Sequence, residues 1–367
     1  MKEGFTTGSC AAAAALAGCL WQRDGVCPTQ VELRVPEGRC FHPEILPLSN
    51  FWCAVYKQAG DDPDVTDGCQ VRVLVTPEEQ NGPIRFLAGE GVGIITLPGL
   101  KLPPGEAAVN PVPRKMIEEA VRSVFGARGA QVTISIPGGE ALARKTFNPR
   151  LGIRGGLSVL GTSGIVRPMS EEALTASIAL ELSVLRASGA KHTALVFGNQ
   201  GEKAARRLFP DLPAAQMSNY VGFALETCAQ LGFQRALLLG HPGKLLKVAA
   251  GVWQTHSRWA DARREALIAQ LALMDAPCAL CCQIMSCVTT EAAASLIDAA
   301  GYGEVWNRAA DAAQRYAEEK VLHQLTVDAL FVNADGMILG QSNRLRQTGR
   351  KSESDAPSPT PEGRPKR

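Results

Sequence analysis

Thr193-Ala-Leu-Val-Phe197, followed at once by Gly198-Asn-Gln-Gly201, is the stretch of sequence that decides the fold class. A short apolar run that ends at glycine is typical of a strand buried on both faces and closed by a tight turn. The pattern recurs at Ala236-Leu-Leu-Leu239, which runs into Gly240-His-Pro-Gly243, and a last apolar run lies at Ala329-Leu-Phe-Val332. These runs predict strands of one buried sheet.

Helical patterns precede and separate these strands. They cover residues 170–186, with Ser170 as N-cap, and then about 219–231, 262–273 and 292–300. Strand, turn and helix in repetition indicate a mainly parallel sheet with crossover helices. We therefore predict that residues 189–340 form a smaller α/β domain. Ligands of such sheets bind beyond the carboxyl ends of the strands, where both glycine turns lie.

The preceding part of the chain has a different pattern. Hydroxyl groups of Thr6-Thr7-Gly8-Ser9 precede an Ala-rich helix, which has so little side-chain bulk that another backbone can approach it closely. Strand patterns and a helix at 114–125 then predict an α+β domain over residues 1–188, so the whole fold is mixed α/β. The strand candidates are Val31–Val35, Phe51–Lys57, Cys69–Thr76 and Val132–Ile136. The polar residues 341–367 are predicted to be a disordered tail.

The composition excludes several classes of partner. A net charge of +2 is too small to favour nucleic acid or an anionic membrane, and 5% aromatic residues provide little for base stacking. No run approaches the ~18 apolar residues that a membrane span needs. Eleven cysteines in a chain of 367 residues, with no secretory pattern at its start, indicate reduced thiols. We expect a cytoplasmic protein.

The segment Asp61-Asp62-Pro63-Asp64 places three carboxylates within four residues. Their mutual repulsion must be offset by solvent, a cation or hydrogen-bond donors. A solvated turn explains such a cluster, but Gly60 and Gly68 on its flanks also indicate a constrained loop, where functional carboxylates often lie. Both interpretations remain open on the sequence.

Two further segments carry candidate polar groups. Gly240-His-Pro-Gly-Lys244 has neither the spacing nor the Ser or Thr of a phosphate loop, which disfavours ATP hydrolysis. With Lys247, this turn still suits a ligand that bears a carboxylate. His256 and Asp261 could be a proton-handling pair, or His256 could be a histidine oriented by its neighbours. A surface histidine before a helix explains the pattern equally well.

The cysteines of the segment 278–287 admit two interpretations. Cys278, Cys281, Cys282 and Cys287 could hold zinc or an iron–sulfur cluster, but they lie among Ala, Leu, Ile and Met with no histidine nearby. We expect cysteines buried in a helix rather than metal ligands.

In their order along the chain, the motifs resemble one family, the cobalt-precorrin-5B C(1)-methyltransferases of anaerobic cobalamin synthesis, also called CbiD. The resemblance covers roughly residues 4 to 340. It rests on Gly4-Phe-Thr-Thr-Gly-Ser-Cys-Ala-Ala-Ala-Ala14, Lys57-Gln-Ala-Gly-Asp-Asp-Pro-Asp-Val-Thr-Asp-Gly68, Gly89-Glu-Gly-Val-Gly93, Asn110-Pro-Val-Pro-Arg114, Thr146-Phe-Asn-Pro-Arg-Leu-Gly-Ile153, Gly161-Thr-Ser-Gly-Ile-Val-Arg-Pro-Met-Ser170, Gly198-Asn-Gln-Gly201, Gly240-His-Pro-Gly-Lys244 and Thr255-His-Ser257.

The resemblance implies transfer of the methyl group of S-adenosylmethionine to C-1 of a cobalt-bearing tetrapyrrole. The partner is then a small-molecule tetrapyrrole, with transient contacts to neighbouring pathway enzymes and neither nucleic acid nor membrane. Cobalt arrives with the substrate, so no metal held by the protein is expected. A sulfonium donor is already reactive, and catalysis should rest mainly on alignment, with acid–base help secondary.

Roles for individual residues are hypotheses from their positions in charged or glycine-flanked loops. For polar or proton-handling roles in catalysis the candidates are Asp61, Asp62, His256 and Asp261. The donor is expected in the second domain, at Gly198, Asn199, Gly201, Gly240, His241 and Gly243. The macrocycle is expected against the first domain, and its candidate contacts are Thr6, Thr7, Ser9, Asp64, Glu90, Gly91, Asn110, Arg114, Arg150 and, beyond that domain, Lys244.

Two other functions compete with this hypothesis. A non-catalytic tetrapyrrole carrier would need a similar cleft but no methyl donor. An amidase or other hydrolase would use His256 with a reactive cysteine of low pKa.

Overall fold

The computed structural model describes residues 2–168 and 170–347 of the chain. They divide into two compact units, the first ending at Ser188 and the second beginning at Gly189. Each unit has its own central sheet. Within the described residues, no helix combines the length and the apolar character needed to cross a membrane.

The first unit is an α+β structure. Its helices are α1 (Thr7–Asp24), α2 (Pro111–Phe125), α3 (Gly139–Ala143) and α4 (Glu171–Ala187). Its strands are β1 (Gly4–Phe5), β2 (Leu33–Arg34), β3 (Cys40–Phe41), β4 (Leu46–Pro47), β5 (Cys53–Tyr56), β6 (Gln70–Asn81), β7 (Ile84–Ala88), β8 (Ile94–Ile95), β9 (Arg128–Ser135), β10 (Ile153–Arg154) and β11 (Ile165–Val166).

A five-stranded sheet in the order β4-β5-β6-β9-β7 forms the centre of this unit. Only the pair β7–β9 is parallel, as expected for α+β rather than doubly wound topology. Helix α1 packs on β5 and β6 and against α2. Ala11 to Ala15 have no exposed surface, and a Cβ at Gly8 would lie 3.2 Å from the backbone oxygen of Leu160. The predicted close approach to the Ala-rich helix is confirmed.

The second unit is an α/β structure. Its strands are β12 (His192–Val196), β13 (Ala214–Gln216), β14 (Arg235–Gly240), β15 (Thr326–Val332) and β16 (Ile338–Gln341). Its helices are α5 (Gly198–Leu208), α6 (Val221–Gln230), α7 (Pro242–Val248), α8 (Arg263–Ala272), α9 (Cys278–Met285), α10 (Thr290–Ala299) and α11 (Val305–Lys320). The sheet order is β13-β12-β14-β15-β16, parallel except for β16. The predicted mixed α/β fold with a mainly parallel second sheet is confirmed.

The segment after β12 differs from its prediction. We expected a tight turn over residues 198–201, but α5 begins directly at Gly198, whose φ of 69° supplies the change of direction in one residue. Helix α11 was not predicted; its buried face consists mainly of alanines, with Val305 and Trp306 at its start.

The tail prediction is corrected in part. Gln341 ends β16, Ser342 is fully buried, and residues 343–347 are helical. Asp328, buried in β15, is ion-paired with Arg235 and with Arg344, whose second nitrogen lies 3.0 Å from Glu318. A buried carboxylate requires such cationic partners, which is why this polar segment is ordered. Residues 348–367 lie outside the described residues.

The cysteines of α9 are also corrected. Leu280 and Ile284 are the buried residues of this helix, one turn apart. Cys278 and Cys282 are exposed and Cys281 is half-buried, because they project from the other faces. Cys287, beyond the end of the helix, is also half-buried. Apolar neighbours in the sequence did not indicate which face of the helix packs. Within residues 2–168 and 170–347 no three potential ligands converge as a metal site would require.

Candidate functional site

A cleft of about 800 Å³ lies at the carboxyl ends of three parallel strands of the second unit. Phe197 and Gly201 follow β12, Gly240 ends β14 with His241 after it, and residues 333–336 follow β15. All of them line the cleft. A Cβ at Gly240 would lie 2.5 Å from the Phe197 ring, so this position needs glycine. The sequence predicted a ligand site at this edge, and the cleft lies there.

His241 is oriented by groups on both sides of its ring. It is the N-cap of α7, where its Nδ1 accepts a hydrogen bond of 3.2 Å from the backbone N–H of Gly243. Its Nε2 lies 3.2 Å from Oε1 of Glu291 at the start of α10. The Glu291 carboxylate bonds its own backbone N–H, which holds the pKa below the usual value with help from Thr289 and Thr290. In the neutral ring the proton is therefore on Nε2.

Two lysines of α7 line the same cleft. Lys244 Nζ donates to Asn219 Oδ1 at 2.7 Å, and Lys247 Nζ donates to the carbonyls of Thr255 and Ala260 at 3.1 and 2.8 Å. Burial lowers the pKa of both ammonium groups. For Lys244 the charges of Lys247 and Arg263 lower it further.

The segment held by Lys247 carries His256 and Ser257 to the cleft. His256 Nδ1 accepts the backbone N–H of Arg258 at 3.2 Å, which orients the exposed ring. Asp261 instead accepts both hydrogen bonds of the Arg263 guanidinium, at 2.5 and 2.7 Å. These bonds lower the pKa of Asp261 to about 2. Among the described residues no hydrogen bond joins His256 to Asp261, and the two side chains have separate partners.

The candidates for donor binding separate into two groups. Gly201, Gly240, His241 and Gly243 line the cleft, as does Lys244 from the macrocycle list. Gly198 and Asn199 are not among its lining residues, and Asn199 Oδ1 accepts from Gln216 at 2.9 Å.

Several lining residues were missed in the sequence. Lys203 and Arg207 lie on α5, Thr289 and Thr290 begin α10, and Asn333 follows β15. The turn after Val332 was a usable signal, since it follows a predicted strand as the two glycine turns do. The start of α10 carried no such sequence signal, because only the folding of the chain brings it to the cleft.

In the first unit, the carboxylates of the Asp61–Asp64 segment have separate partners. Asp64 forms an ion pair with Lys57, whose side chain is 2% exposed, and accepts from the Thr66 backbone and hydroxyl at 2.8 and 2.7 Å. Burial raises the pKa of Asp64, but the charge and hydrogen bond of Lys57 outweigh it and the pKa is lowered. Asp61 accepts from the backbone N–H of Lys2 at 2.5 Å, and Asp62 is half-buried.

The hydroxyl groups before α1 are engaged within the chain. Thr6 Oγ1 caps the helix by accepting from Ser9 N at 3.2 Å, and Ser9 Oγ donates to the Gly164 carbonyl at 2.7 Å. Thr7 Oγ1 accepts from the backbone N–H of Leu160 at 3.0 Å. All three hydroxyl side chains are buried, which fits a structural role for this motif better than contact with a macrocycle.

The two candidate arginines are likewise partnered. Arg114 donates to Glu106 at 2.8 Å and to the Val109 carbonyl at 2.9 Å, and it lies over the Phe86 ring. Arg150 lies 3.3 Å from the buried carboxylate of Glu181. Arg114 thus joins α2 to the segment before it, and Arg150 joins its segment to α4.

The remaining candidates, Glu90, Gly91 and Asn110, differ in exposure. Glu90 and Asn110 are exposed, Asn110 at the N-cap of α2 without a side-chain capping bond. Gly91 is buried with a φ of 71°, and a Cβ there would lie 1.9 Å from the Ile136 carbonyl oxygen. This glycine serves a close backbone approach rather than an open anion-binding loop.

Comparisons with known proteins place the chain in a family. The CbiD family model matches residues 1–168, and the model of the CbiD C-terminal domain matches residues 254–343. A protein of Desulfitobacterium hafniense named cobalt-precorrin-5B C(1)-methyltransferase is 44% identical over 95% of this chain and 92% of its own length. This chain belongs to the CbiD family. It is therefore a C-methyltransferase, and its reaction requires a methyl donor.

Further CbiD relatives agree in name and coverage. The cobalt-precorrin-5B C(1)-methyltransferase of Klebsiella pneumoniae is 43% identical over 96% of this chain and 95% of its own length. That of Salmonella typhimurium is 44% identical over 94% and 93%. A crystal structure of the cobalamin biosynthesis protein CbiD from Archaeoglobus fulgidus is 26% identical, covering 71% of this chain and 84% of that one with a TM-score of 0.39.

Proposed function

We propose that this chain transfers the methyl group of S-adenosylmethionine to C-1 of cobalt-precorrin-5B, giving cobalt-precorrin-6A in anaerobic cobalamin synthesis. The observation that carries this proposal is 44% identity over 95% of the chain to a relative named for that reaction. Similarity of this extent includes both units, so it supports one activity for the whole chain.

The chemistry of the cleft is compatible with alkyl transfer to carbon. The nucleophile is a carbon of an electron-rich ring, and the sulfonium donor is reactive, so no activated serine or cysteine is needed. No cysteine is among the described residues that line the cleft, which disfavours a hydrolase that pairs His256 with a thiol. Oriented polar groups such as His241 are what an alignment mechanism uses.

We assign the donor to the cleft of the second unit. Ligands of open α/β sheets bind at the carboxyl ends of the strands, and a volume of about 800 Å³ accommodates a nucleoside-sized ligand. Gly201 and Gly243 keep side chains out of the space beside the strand ends, and the N–H of Gly243 already bonds His241. Cobalt is part of the substrate in this proposal, and the chain supplies no ligand to it.

We assign the macrocycle to the first unit. Its exposed apolar side chain Ile94 lies on β8, and those of Leu97 and Phe147 lie after β8 and before β10. Such side chains suit the flat face of a tetrapyrrole. Exposed Arg154 on β10 is a partner for a carboxylate arm. Of the residues predicted to contact the macrocycle, Glu90 and Asn110 are the ones exposed to solvent.

The test is incubation of the full chain with labelled S-adenosylmethionine and cobalt-precorrin-5B without oxygen, followed by mass analysis of the macrocycle. We expect a gain of one methyl group. A macrocycle that binds but gains no methyl group would support the carrier alternative and contradict the proposal.

Folded His256→Gln and Asp62→Asn variants should be slower by about 100-fold if these side chains handle protons. Full rates in both would remove them from the catalytic set.

A further inference from the structure

Two cationic side chains of the cleft donate hydrogen bonds only to neutral groups. Lys244 and Lys247 are three residues apart on α7 and therefore lie on one face of the helix. Lys244 bonds an amide oxygen, and Lys247, 3% exposed, bonds two carbonyl oxygens. Within residues 2–168 and 170–347 neither lysine forms an ion pair with a carboxylate.

The other charges at this end of the cleft are already balanced. Arg263 holds Asp261 with two hydrogen bonds, and Glu291 lies against His241. An ammonium group has three donors, so one N–H of Lys247 and two of Lys244 have no acceptor among the described protein groups. The charge of Asp261 acts on Lys247, but the Asp261 oxygens bond Arg263 rather than the lysine. A buried ammonium without a carboxylate in direct contact is costly, and an anionic ligand would supply that contact.

We propose that Lys244 and Lys247 form a carboxylate-binding subsite in the second-unit cleft. This inference rests on the proposed function, because the carboxylate then comes from one of two sources. One is the amino-acid end of the methyl donor, and the other is an acetate or propionate arm of the macrocycle. Both sources present the same group to the two ammonium ions.

Three probes separate the sources when their binding to the full chain is measured by calorimetry or fluorescence. S-adenosylhomocysteine carries the amino-acid carboxylate, and 5′-methylthioadenosine is a similar nucleoside without it. Uroporphyrin supplies tetrapyrrole carboxylates without the nucleoside. The variants are Lys244→Gln and Lys247→Met, with Lys191→Met as matched control. Lys191 is an exposed lysine of the same unit, directly before the amino end of β12.

Each variant should raise the Kd of one carboxylate-bearing probe by about tenfold to 100-fold and leave that of 5′-methylthioadenosine unchanged. Weaker S-adenosylhomocysteine binding identifies the donor as the source, and weaker uroporphyrin binding identifies the macrocycle. Unchanged affinity for both in folded variants would overturn the subsite. Equal losses for all three probes would also overturn it, because they would indicate general damage to the cleft.

The buried Lys247 bonds two carbonyls, so Lys247→Met could impair folding. In that case the half-buried Lys244 provides the test. Lys244→Gln should weaken binding of the carboxylate-bearing probe, and Lys244→Arg should retain it. Methyl transfer by the unsubstituted chain is scored separately. Absent transfer with selective loss of carboxylate binding would leave the subsite standing and refute the proposed function. Intact methyl transfer with unchanged carboxylate binding would overturn the subsite and leave the proposed function standing.

Discussion

Asp261 shows how a neighbouring guanidinium sets the charge of a carboxyl group. The bonds from Arg263 lower its pKa to about 2, below the value of about 3.9 in an unfolded chain. The ion pair therefore stabilises the fold above about pH 4, and this contribution is lost as the pH falls towards 2. The side chain is 43% exposed, so we expect less than about 1 kcal/mol.

The measurement is urea unfolding of the unsubstituted chain and of Asp261→Asn across this pH range. The free energy of unfolding should differ at neutral pH, and the difference should shrink as the pH approaches 2. A difference that does not change with pH would contradict the account.

The thiols of the chain are expected to differ strongly in reactivity. Burial raises the pKa of Cys10, Cys19 and Cys228 to about 12, so these groups stay protonated at neutral pH. Cys278 is exposed on α9. Iodoacetamide at neutral pH should modify Cys278 and spare the buried three, with methyl transfer unaffected. Loss of methyl transfer after modification of Cys278 alone would contradict a reaction that needs no thiol.

At the scale of elements, the loop between β5 and β6 depends on a buried ion pair. Asp64→Asn would leave the ammonium of Lys57, 2% exposed, without its carboxylate. We expect the free energy of unfolding to fall by about 2–4 kcal/mol. This is less than for a fully buried pair, because Asp64 itself is 25% exposed. Asp61→Asn, in the same loop, should cost less than about 1 kcal/mol. Equal effects in denaturant titrations would show that the ion pair is not what holds the loop.

The crossing of three backbone segments near β9 requires glycine. A Cβ at Gly91 would lie 1.9 Å from the Ile136 oxygen, and one at Gly156 2.2 Å from the Gly91 carbonyl. Gly91→Ala should therefore cost more than about 4 kcal/mol or prevent folding. Gly105 also has a positive φ but nothing within 4 Å, so Gly105→Ala should cost only about 1–2 kcal/mol. Thermal unfolding of both variants compares them, and similar melting temperatures would contradict the crossing argument.

Elements with local signals at their ends could be predicted from the sequence. Thr6 and Ser170 are N-caps as expected, and the apolar runs after His192 and Arg235 are parallel strands. Helix α11 and strand β16 could not be predicted, because their stability comes from packing on β15. The order of the polar residues 341–347 likewise comes from contacts that their own sequence does not indicate.

At the scale of the whole molecule, the sequence predicted which edge of the second sheet holds a cleft but not all of its residues. The glycine turns were visible, whereas Lys203 and Thr290 reach the cleft only through the path of the chain. In the first unit, charged residues near glycine turns were predicted to contact the ligand. Arg114, Arg150 and Asp64 are charged, but each is matched to a partner within the chain.

The central claim is that this CbiD chain methylates one ring carbon. The most direct measurement uses S-adenosylmethionine with a ¹³C-labelled methyl group, cobalt-precorrin-5B and the full chain without oxygen, followed by ¹³C NMR of the product. The account predicts one new labelled methyl signal, bonded to quaternary C-1 of the macrocycle. A label that stays on the donor, or that appears on any other ring carbon or on nitrogen, would contradict it.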